Sequence, residues 1–288
     1  MALGTNQVTT AVANNFIPEL WSDEVIGSYK SNLVLANLVT KLSHKGKKGD
    51  TIHIPVPSRG SASAKAANTQ VTLSAATNSV VNISINKHYE YSKLIEDIAE
   101  VQALASMRKF YTDDAGYALA SQVDSDLFTL AQALGGGTVV SGGTGAAGAS
   151  ADITDAGIRK MILTLDDADV PMDSRSLVLP PIAANDLLAV NRFTEQQFIG
   201  SGDAIKTGKI GQIYGVDVFV SSAAPTSGSD RIGVLLHRDA LVLAEQVGVR
   251  TQTQYKQEYL GDLFTADTIY GIGELRDNAG VAFKVPAS

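Results

Sequence analysis

Residues 170–189 read VPMDSRSLVLPPIAANDLLA, and residues 207–225 read TGKIGQIYGVDVFVSSAAP. Residues 235–246, LLHRDALVLAEQ, follow them, and the chain closes on a run that includes YGIGELRDNAGVAFKV at residues 270–285. Helical and strand-like patterns are interleaved irregularly here, without a repeating strand–helix–strand unit. None of these segments carries a catalytic constellation. This half of the chain therefore predicts an α+β fold and argues against a doubly wound sheet or a TIM barrel.

The elements expected in this half are short. Thr154 is suited to cap a helix over residues 155–168, because its hydroxyl can accept a backbone N–H of the first turn. The residues on the apolar face of that helix are Ile158, Met161, Ile162 and Leu165. Pro171 ends the helical pattern, and Pro181 is a typical first-turn residue of a second helix. Strands are predicted at residues 176–179, 216–220, 232–236 and within 247–285, and a short helix is predicted at residues 238–246.

A hairpin is predicted in the first half. Residues 51–56 and 80–85 alternate apolar and polar side chains, and residues 69–73 show a shorter alternation of the same kind. The apolar face of the second strand is formed by Val81, Ile83 and Ile85. The small, polar residues 58–68 have too little apolar mass to fold alone, so the tip is weakly packed. A monomer gains little from such an element, whereas a neighbouring subunit could pair with its exposed edges.

The segments on either side of this hairpin have helical patterns. Residues 16–42 carry apolar side chains at helical spacings, and we expect Trp21 to anchor packing there. Residues 94–134 contain no proline and a single glycine. Their apolar stripe is formed by Ile95, Ile98, Val101, Leu104, Leu119, Val123, Leu127, Leu130 and Leu134. We expect a break between Ser106 and Asp113, then a helix of about 20 residues or more. The glycine-rich residues 135–150 predict a flexible joint.

The composition limits the possible functions. The chain has 288 residues, of which 44% are hydrophobic and 18% charged, as in ordinary globular proteins. A net charge of −7 argues against direct readout of nucleic acid, but it is compatible with enclosing DNA. Cysteine is absent, which excludes disulfides, cysteine-bound zinc and thiol nucleophiles. The sequence shows neither a signal peptide nor an apolar run long enough to span a membrane, so no membrane partner is expected.

Two patterns could carry ligand chemistry. Gly143, Gly145 and Gly148 spell G-x-G-x-x-G, but a long helix precedes them and nothing helical begins at Gly148, so a linker is favoured. The histidines are His44, His53, His88 and His237. No two of them have the spacing of a helical metal pair. His88 and Glu90 could chelate weakly on a strand, but no third ligand is nearby. We therefore predict ordinary hydrogen-bonded or surface histidines.

The charged clusters have simpler interpretations. Three aspartates, Asp166, Asp167 and Asp169, could attract a hard cation, but their spacing is not that of an EF-hand, so a solvated acidic loop is favoured. Asp113, Asp114, Asp124 and Asp126 are interpreted as exposed helix positions. Lys45, Lys47 and Lys48 could form a phosphate-binding turn, although a solvated loop or an interface with an acidic neighbour is favoured. No catalytic, cofactor-binding or metal-binding residue is predicted, and no enzymatic activity.

Three short motifs point to a family by their order. They are VLPP at residues 178–181, IYGVDV at residues 213–218 and LRDNAGV at residues 275–281. In this order they resemble the major capsid proteins of tailed bacteriophages, which have the HK97-like fold, and among them the podovirus-type coat proteins. The resemblance implies an N-terminal arm and first helix (1–49), an extended hairpin or E-loop (50–90), a peripheral domain with a spine helix and a glycine-rich joint (91–154), an axial domain (155–246), and peripheral-domain strands with the C-terminus (247–288).

The resemblance also implies a function. Family members assemble as hexamers and pentamers into an icosahedral virion capsid around double-stranded DNA, without sequence-specific binding, after synthesis in the host cytoplasm. Because the chain runs from Met1 directly into the arm, a separate scaffolding protein is the expected partner, along with a portal protein and, in some shells, a cement protein. Lys65, Lys87 and Asn278 are of residue types too common to predict the isopeptide cross-link of some relatives. The alternatives are an encapsulin-like nanocompartment shell and, less favoured, a soluble enzyme with an unrecognised site.

Overall fold

The computed structural model describes residues 34–44, 49–57, 60, 62–71, 73, 78–97, 107–137, 139–143, 145–146, 148–190 and 211–287. The helices in these ranges are α1 (Leu35–Leu38), α2 (Met107–Ala131), α3 (Asp155–Asp167) and α4 (Pro181–Leu188), with a 3-10 turn at Asp277–Ala279. The strands are β1 (Thr40–Ser43), β2 (Thr51–Pro57), β3 (Asn78–Ser84), β4 (Lys87–Glu96), β5 (Val140–Ser141), β6 (Arg175–Leu179), β7 (Gln212–Ile213), β8 (Val216–Val220), β9 (Thr226–Ser227), β10 (Asp230–His237), β11 (Leu241–Lys256), β12 (Gly261–Glu274) and β13 (Gly280–Pro286). No helix among them is long and apolar enough to cross a membrane.

A seven-stranded sheet forms the larger core. Its order is β5-β13-β10-β6-β8-β7, and β9 pairs with β10. β10 pairs antiparallel with both β13 and β6, whereas β6 and β8 are parallel, so the sheet is mixed. The helices α3 and α4 bury Ile158, Met161, Leu165, Ala183 and Leu187 against it. The predicted cap is confirmed, because Thr154 Oγ1 accepts the N–H of Gly157 at 3.1 Å.

A four-stranded sheet forms the second body of the fold. Its order is β1-β11-β12-β4, with β1 parallel to β11 and the other pairs antiparallel. The long helix α2 packs on one face, where Phe264 and Ala266 contact Ala115 and Leu119. The predicted stripe on α2 is confirmed: Leu119 and Leu127 are buried, as is Leu134 in the turn beyond the helix. The 25-residue α2 meets the predicted length.

The hairpin is confirmed as an antiparallel pair of β2 and β3, but it is shorter than predicted. Residues 69–71 and 73 are not in a strand, because nothing pairs with them among the described residues. Ile83 and Ile85 are buried and Val81 is partly buried, as the alternation predicts. Lys87 to Glu90 fall within β4 and therefore belong to the four-stranded sheet.

Three sequence predictions about helices are wrong. Residues 241–246 belong to strand β11 and residues 40–42 to strand β1, and both segments were predicted as helix. Residues 94–96 are the end of strand β4, not the start of the helical stripe. In each case pairing with a distant strand overrides the local pattern, and a continuous apolar run such as LVLA does not distinguish strand from helix. The predicted break is also absent from residues 107–113, where α2 is continuous.

Part of the glycine-rich segment is packed, which corrects the prediction of a flexible joint there. Val140 and Ser141 form β5 and pair with β13. The Gly142 N–H donates to the carbonyl oxygen of Lys284 at 2.9 Å. A Cβ at Gly142 would lie 2.7 Å from the carbonyl oxygen of Ala151, so only glycine fits this close approach. Residues 1–33, with Trp21, lie outside the described residues, as do Lys45, Lys47 and Lys48.

Candidate assembly surfaces

The β2–β3 hairpin stands outside both large sheets. Its strands pair only with each other among the described residues, from Thr51 opposite Ser84 to Pro57 opposite Asn78. One face is apolar and carries Ile52, Ile54, Val56, Val81 and Ile83. This face is buried at its base, where Ile83 packs in a cluster with Val242 and Ala244, and it is only partly buried farther out. The apolar face of the hairpin therefore extends beyond the core that covers it.

Two glycines of β12 allow the base of the hairpin to approach closely. A Cβ at Gly271 would lie 2.5 Å from the carbonyl oxygen of Ser84, and one at Gly273 would lie 2.9 Å from Cγ1 of Ile83. Real Cβ atoms essentially never come within 3.0 Å of such neighbours. The end of β3 thus packs directly on the β12 backbone. This contact sets how the hairpin leaves the four-stranded sheet.

A polar cluster joins Lys87, the first residue of β4, to α2. Lys87 Nζ lies 3.0 Å from Oδ2 of Asp126, and the Tyr270 hydroxyl donates to the same oxygen at 2.7 Å. Gln122 Nε2 donates to the other carboxylate oxygen at 3.1 Å. Burial, followed by the bond to Asp126, raises the pKa of the Tyr270 hydroxyl well above its ordinary value. Tyr270 therefore stays protonated, and α2 holds the start of β4 by charge-assisted bonds.

Asp124, also on α2, is fully buried and tethers α1. Its carboxylate accepts the backbone N–H of Ala36 at 2.9 Å and that of Val34 at 3.5 Å. Burial raises the pKa of Asp124, although the backbone donors oppose this effect. The interpretation of Asp124 and Asp126 as exposed helix positions is wrong. Their partners lie on α1, β4 and β12, far away in the sequence, so no local pattern could reveal them.

An ion cluster lies on the other face of the four-stranded sheet. Arg250 donates to both carboxylate oxygens of Asp267, through Nε at 2.7 Å and Nη2 at 2.8 Å. His88 Nε2 lies 3.1 Å from Oδ2 of the same residue. The bond from Arg250 lowers the pKa of Asp267, and His88 adds to this effect. His88 is thus paired with an acid on a neighbouring strand and not with Glu90 as a chelating pair.

Two of the remaining acidic candidates, Asp166 and Asp114, bind side chains elsewhere in the fold. Asp166 lies 2.7 Å from Nη2 of the buried Arg175, which corrects its interpretation as part of a solvated loop. Asp113 is exposed as predicted. Asp114 accepts the hydroxyl of Tyr91 at 3.0 Å, and burial together with this bond raises the pKa of Tyr91 to about 12. No group of three or more potential metal ligands occurs among the described residues.

The glycine pattern and one polar cleft among the described residues show no ligand chemistry of the kinds considered above. No helix begins at Gly148, because α3 starts at Asp155. The cleft is lined by Asp169, His237, Asp239 and Arg276, among others. His237 Nδ1 accepts the N–H of Asp239 at 3.2 Å. Its described lining includes no serine, threonine or cysteine, so it offers no hydroxyl or thiol nucleophile beside His237.

Three solved structures that share this architecture come from phages. A chain of Mycobacterium phage Che8 has a TM-score of 0.81 and 26% identity, over 94% of this chain and 97% of that one. The capsid of cyanophage P-SCSP1u has a TM-score of 0.78 and 20% identity, over 99% and 97%. The head of Helicobacter pylori bacteriophage KHP40 has a TM-score of 0.74 and 12% identity, over 99% and 100%. The fold is therefore the HK97-like fold that the motif order predicts.

A comparison with protein-family models supports this fold. No curated protein sequence matches the chain. The model of the phage capsid protein family matches residues 19–280. The nanocompartment alternative is not favoured, because the family and the structures compared above belong to phages. Since the family match includes the hairpin, α2, the whole four-stranded sheet and every strand of the seven-stranded sheet except β13, the chain belongs to the phage capsid protein family and is a structural component of a phage shell.

Proposed function

We propose that this chain is the major capsid protein of a tailed phage, which assembles as hexamers and pentamers into an icosahedral shell around double-stranded DNA. The hairpin is the observation that carries this proposal. Its apolar face extends beyond the core, and its connection leaves Val71 64% and Leu73 93% exposed. A subunit that worked alone would keep this apolar surface in water, whereas an adjacent subunit can cover it.

Each body of the fold has a proposed place in the shell. The hairpin is the E-loop that lies over a neighbour, and α2 with the four-stranded sheet forms the peripheral domain. The seven-stranded sheet with α3 and α4 forms the axial domain. β13 pairs with β10 and β5 pairs with β13, so we assign both strands to the axial domain, although they lie outside residues 155–246.

The charge of the chain fits a container. The net charge of −7 lets the shell enclose DNA without binding its sequence. The proposed role is non-enzymatic and needs no cofactor. The proposed partners are other copies of the chain, a separate scaffolding protein and a portal protein, with a cement protein added in some shells of the family. Subunits are made in the host cytoplasm and end in the virion.

Light scattering and negative-stain microscopy of the same purified fraction test the proposal. We expect uniform hollow particles of megadalton mass or, without a scaffold, rings and aberrant shells. A stable monomer or dimer at high concentration would contradict it. Deleting residues 61–77, the connection of the hairpin, should leave folded subunits but abolish stable shells. Normal assembly of that variant would show that the hairpin connection does not join subunits.

A further inference from the structure

The two outer edges of the hairpin differ in their hydrogen-bonding groups. The Ile85 N–H donates to the carbonyl oxygen of Asp50 at 2.7 Å, in line with the register of the β2–β3 ladder. In an antiparallel pair, residues that bond inward alternate with residues whose N–H and C=O groups point outward. The outward residues of β2 are Thr51, His53, Pro55 and Pro57, and those of β3 are Asn78, Val80, Asn82 and Ser84.

Two prolines remove the N–H donors from the distal half of the β2 edge, whereas the β3 edge keeps its donors and acceptors. Pro55 and Pro57 have no N–H, so the distal half of the β2 edge offers carbonyl oxygens but no donors. The β3 edge offers both donors and acceptors at Val80 and Asn82, and both residues are exposed. Among the described residues β3 pairs with no strand other than β2. Proline on an outward position is one way in which proteins prevent strand addition at an edge.

The open edge is limited to the distal part of β3. At the base, the carbonyl oxygen of Ser84 lies against Gly271 of β12, so a further strand cannot approach there. Residues 78–82 are farther along β3 from the four-stranded sheet. Val80 is 53% exposed. It lies near the start of β3, next to the connection that carries the exposed Leu73. The unpaired backbone and the exposed apolar side chains therefore occur in the same part of the hairpin.

We propose that residues 78–82 of β3 form the edge at which a strand of a second copy of this chain adds to the hairpin, while the β2 edge stays unpaired. This inference rests on the proposed function, which supplies a neighbouring subunit at this position. A second copy is the occupant because the chain belongs to a family of shell proteins. Backbone hydrogen bonds are independent of side-chain identity, so one edge can serve each of the slightly different contacts in a shell.

Proline substitutions test each edge without breaking the ladder of the hairpin. Val80→Pro removes an outward N–H of β3, and His53→Pro removes an outward N–H of β2. Val80→Ala and His53→Ala control for the lost side chains, including the bond of 2.6 Å between His53 Nδ1 and Asn82 Oδ1. We expect loss of shells for Val80→Pro only, by light scattering and microscopy. Normal shells from Val80→Pro, or equal loss from both proline variants, would overturn the inference.

Hydrogen exchange on the unmodified protein gives an independent test that does not depend on how a variant folds. The amides of Val80 and Asn82 should exchange more slowly in shells than in free subunits, and that of His53 should not change. Equal rates at Val80 in shells and subunits would overturn the proposed pairing while leaving the proposed function intact. If the unmodified chain forms no shells or capsomers under any condition, the proposed function itself fails, and the inference fails with it.

Discussion

Gly271 is the position at which a single methyl group most directly perturbs the hairpin. In Gly271→Ala the new Cβ would lie 2.5 Å from the carbonyl oxygen of Ser84 and 3.0 Å from Cα of Ile85. Both neighbours are backbone atoms, so no side-chain rotation relieves the contact. Ordinary contact begins at 3.4 Å, so the end of β3 must retreat by about 0.9 Å. Overpacking of this kind costs about 1–3 kcal/mol, and the lower chain entropy of alanine offsets about 0.4–1 kcal/mol of it.

The expected result is a loss of about 1–2 kcal/mol in the free energy of unfolding, measured by urea denaturation of free subunits. Gly116→Ala is the matched control, because the Cβ that it adds to α2 meets no atom within 4 Å apart from the neighbouring backbone of the helix itself. That variant should gain about 0.5–1 kcal/mol, since glycine is unfavourable within a helix. Shell yield should fall for Gly271→Ala and not for Gly116→Ala. Equal stability and equal shell yield in the two variants would refute the idea that this backbone contact orients the hairpin.

Three further substitutions test the contacts of α2 and of the four-stranded sheet. Leu127→Asp buries an unpaired charge at a fully buried site and should give insoluble protein, whereas Thr129→Asp at an exposed site of α2 should remain soluble. Asp124→Ala leaves the N–H groups of Val34 and Ala36, at the start of α1, without their acceptor and should cost about 1–3 kcal/mol in urea denaturation; no change would mean that α1 is not held there. The pKa of Asp267 is lowered in the folded state. Its contribution to stability is therefore complete at a pH above the ordinary pKa of 3.8, and it is lost as the pH falls through the lowered pKa of the folded state. The stability difference between the parent and Asp267→Asn should therefore shrink from pH 7 to pH 3, and a constant difference would contradict the ion pair.

Local chemistry accounts for the elements that the sequence predicted well. Thr154 caps α3 and Pro181 begins α4, because each of these preferences depends only on the first turn of a helix. The strand at Val216–Val220 follows a turn in which Tyr214 and Gly215 both have positive φ, as a tight hairpin turn requires. The stripe on α2 was visible because an amphipathic helix repeats its burial every three to four residues.

Long-range contacts account for the elements that the sequence predicted poorly. Leu241 to Ala244 form a strand because β1 and β12 flank them, and both partners lie far away in the sequence. The sequence around the aspartates of α2 is typical of exposed helix positions. It does not reveal that Asp124 accepts a hydrogen bond from α1 or that Asp126 binds Lys87 and Tyr270. Burial of a polar side chain depends on partners that only the folded chain supplies.

The amino-acid sequence by itself determined the α+β class, the hairpin with its alternating face, the long helix and, through the order of three motifs, the family. These properties depend on local periodicity and on turn and cap chemistry, which a few neighbouring residues encode. Only the tertiary structure decided which hairpin edge is open, how Gly271 brings the hairpin onto β12, and which carboxylates of α2 are buried. Each of these depends on the register and distance of segments far apart in the chain, and those are set when the sheets and helices pack together.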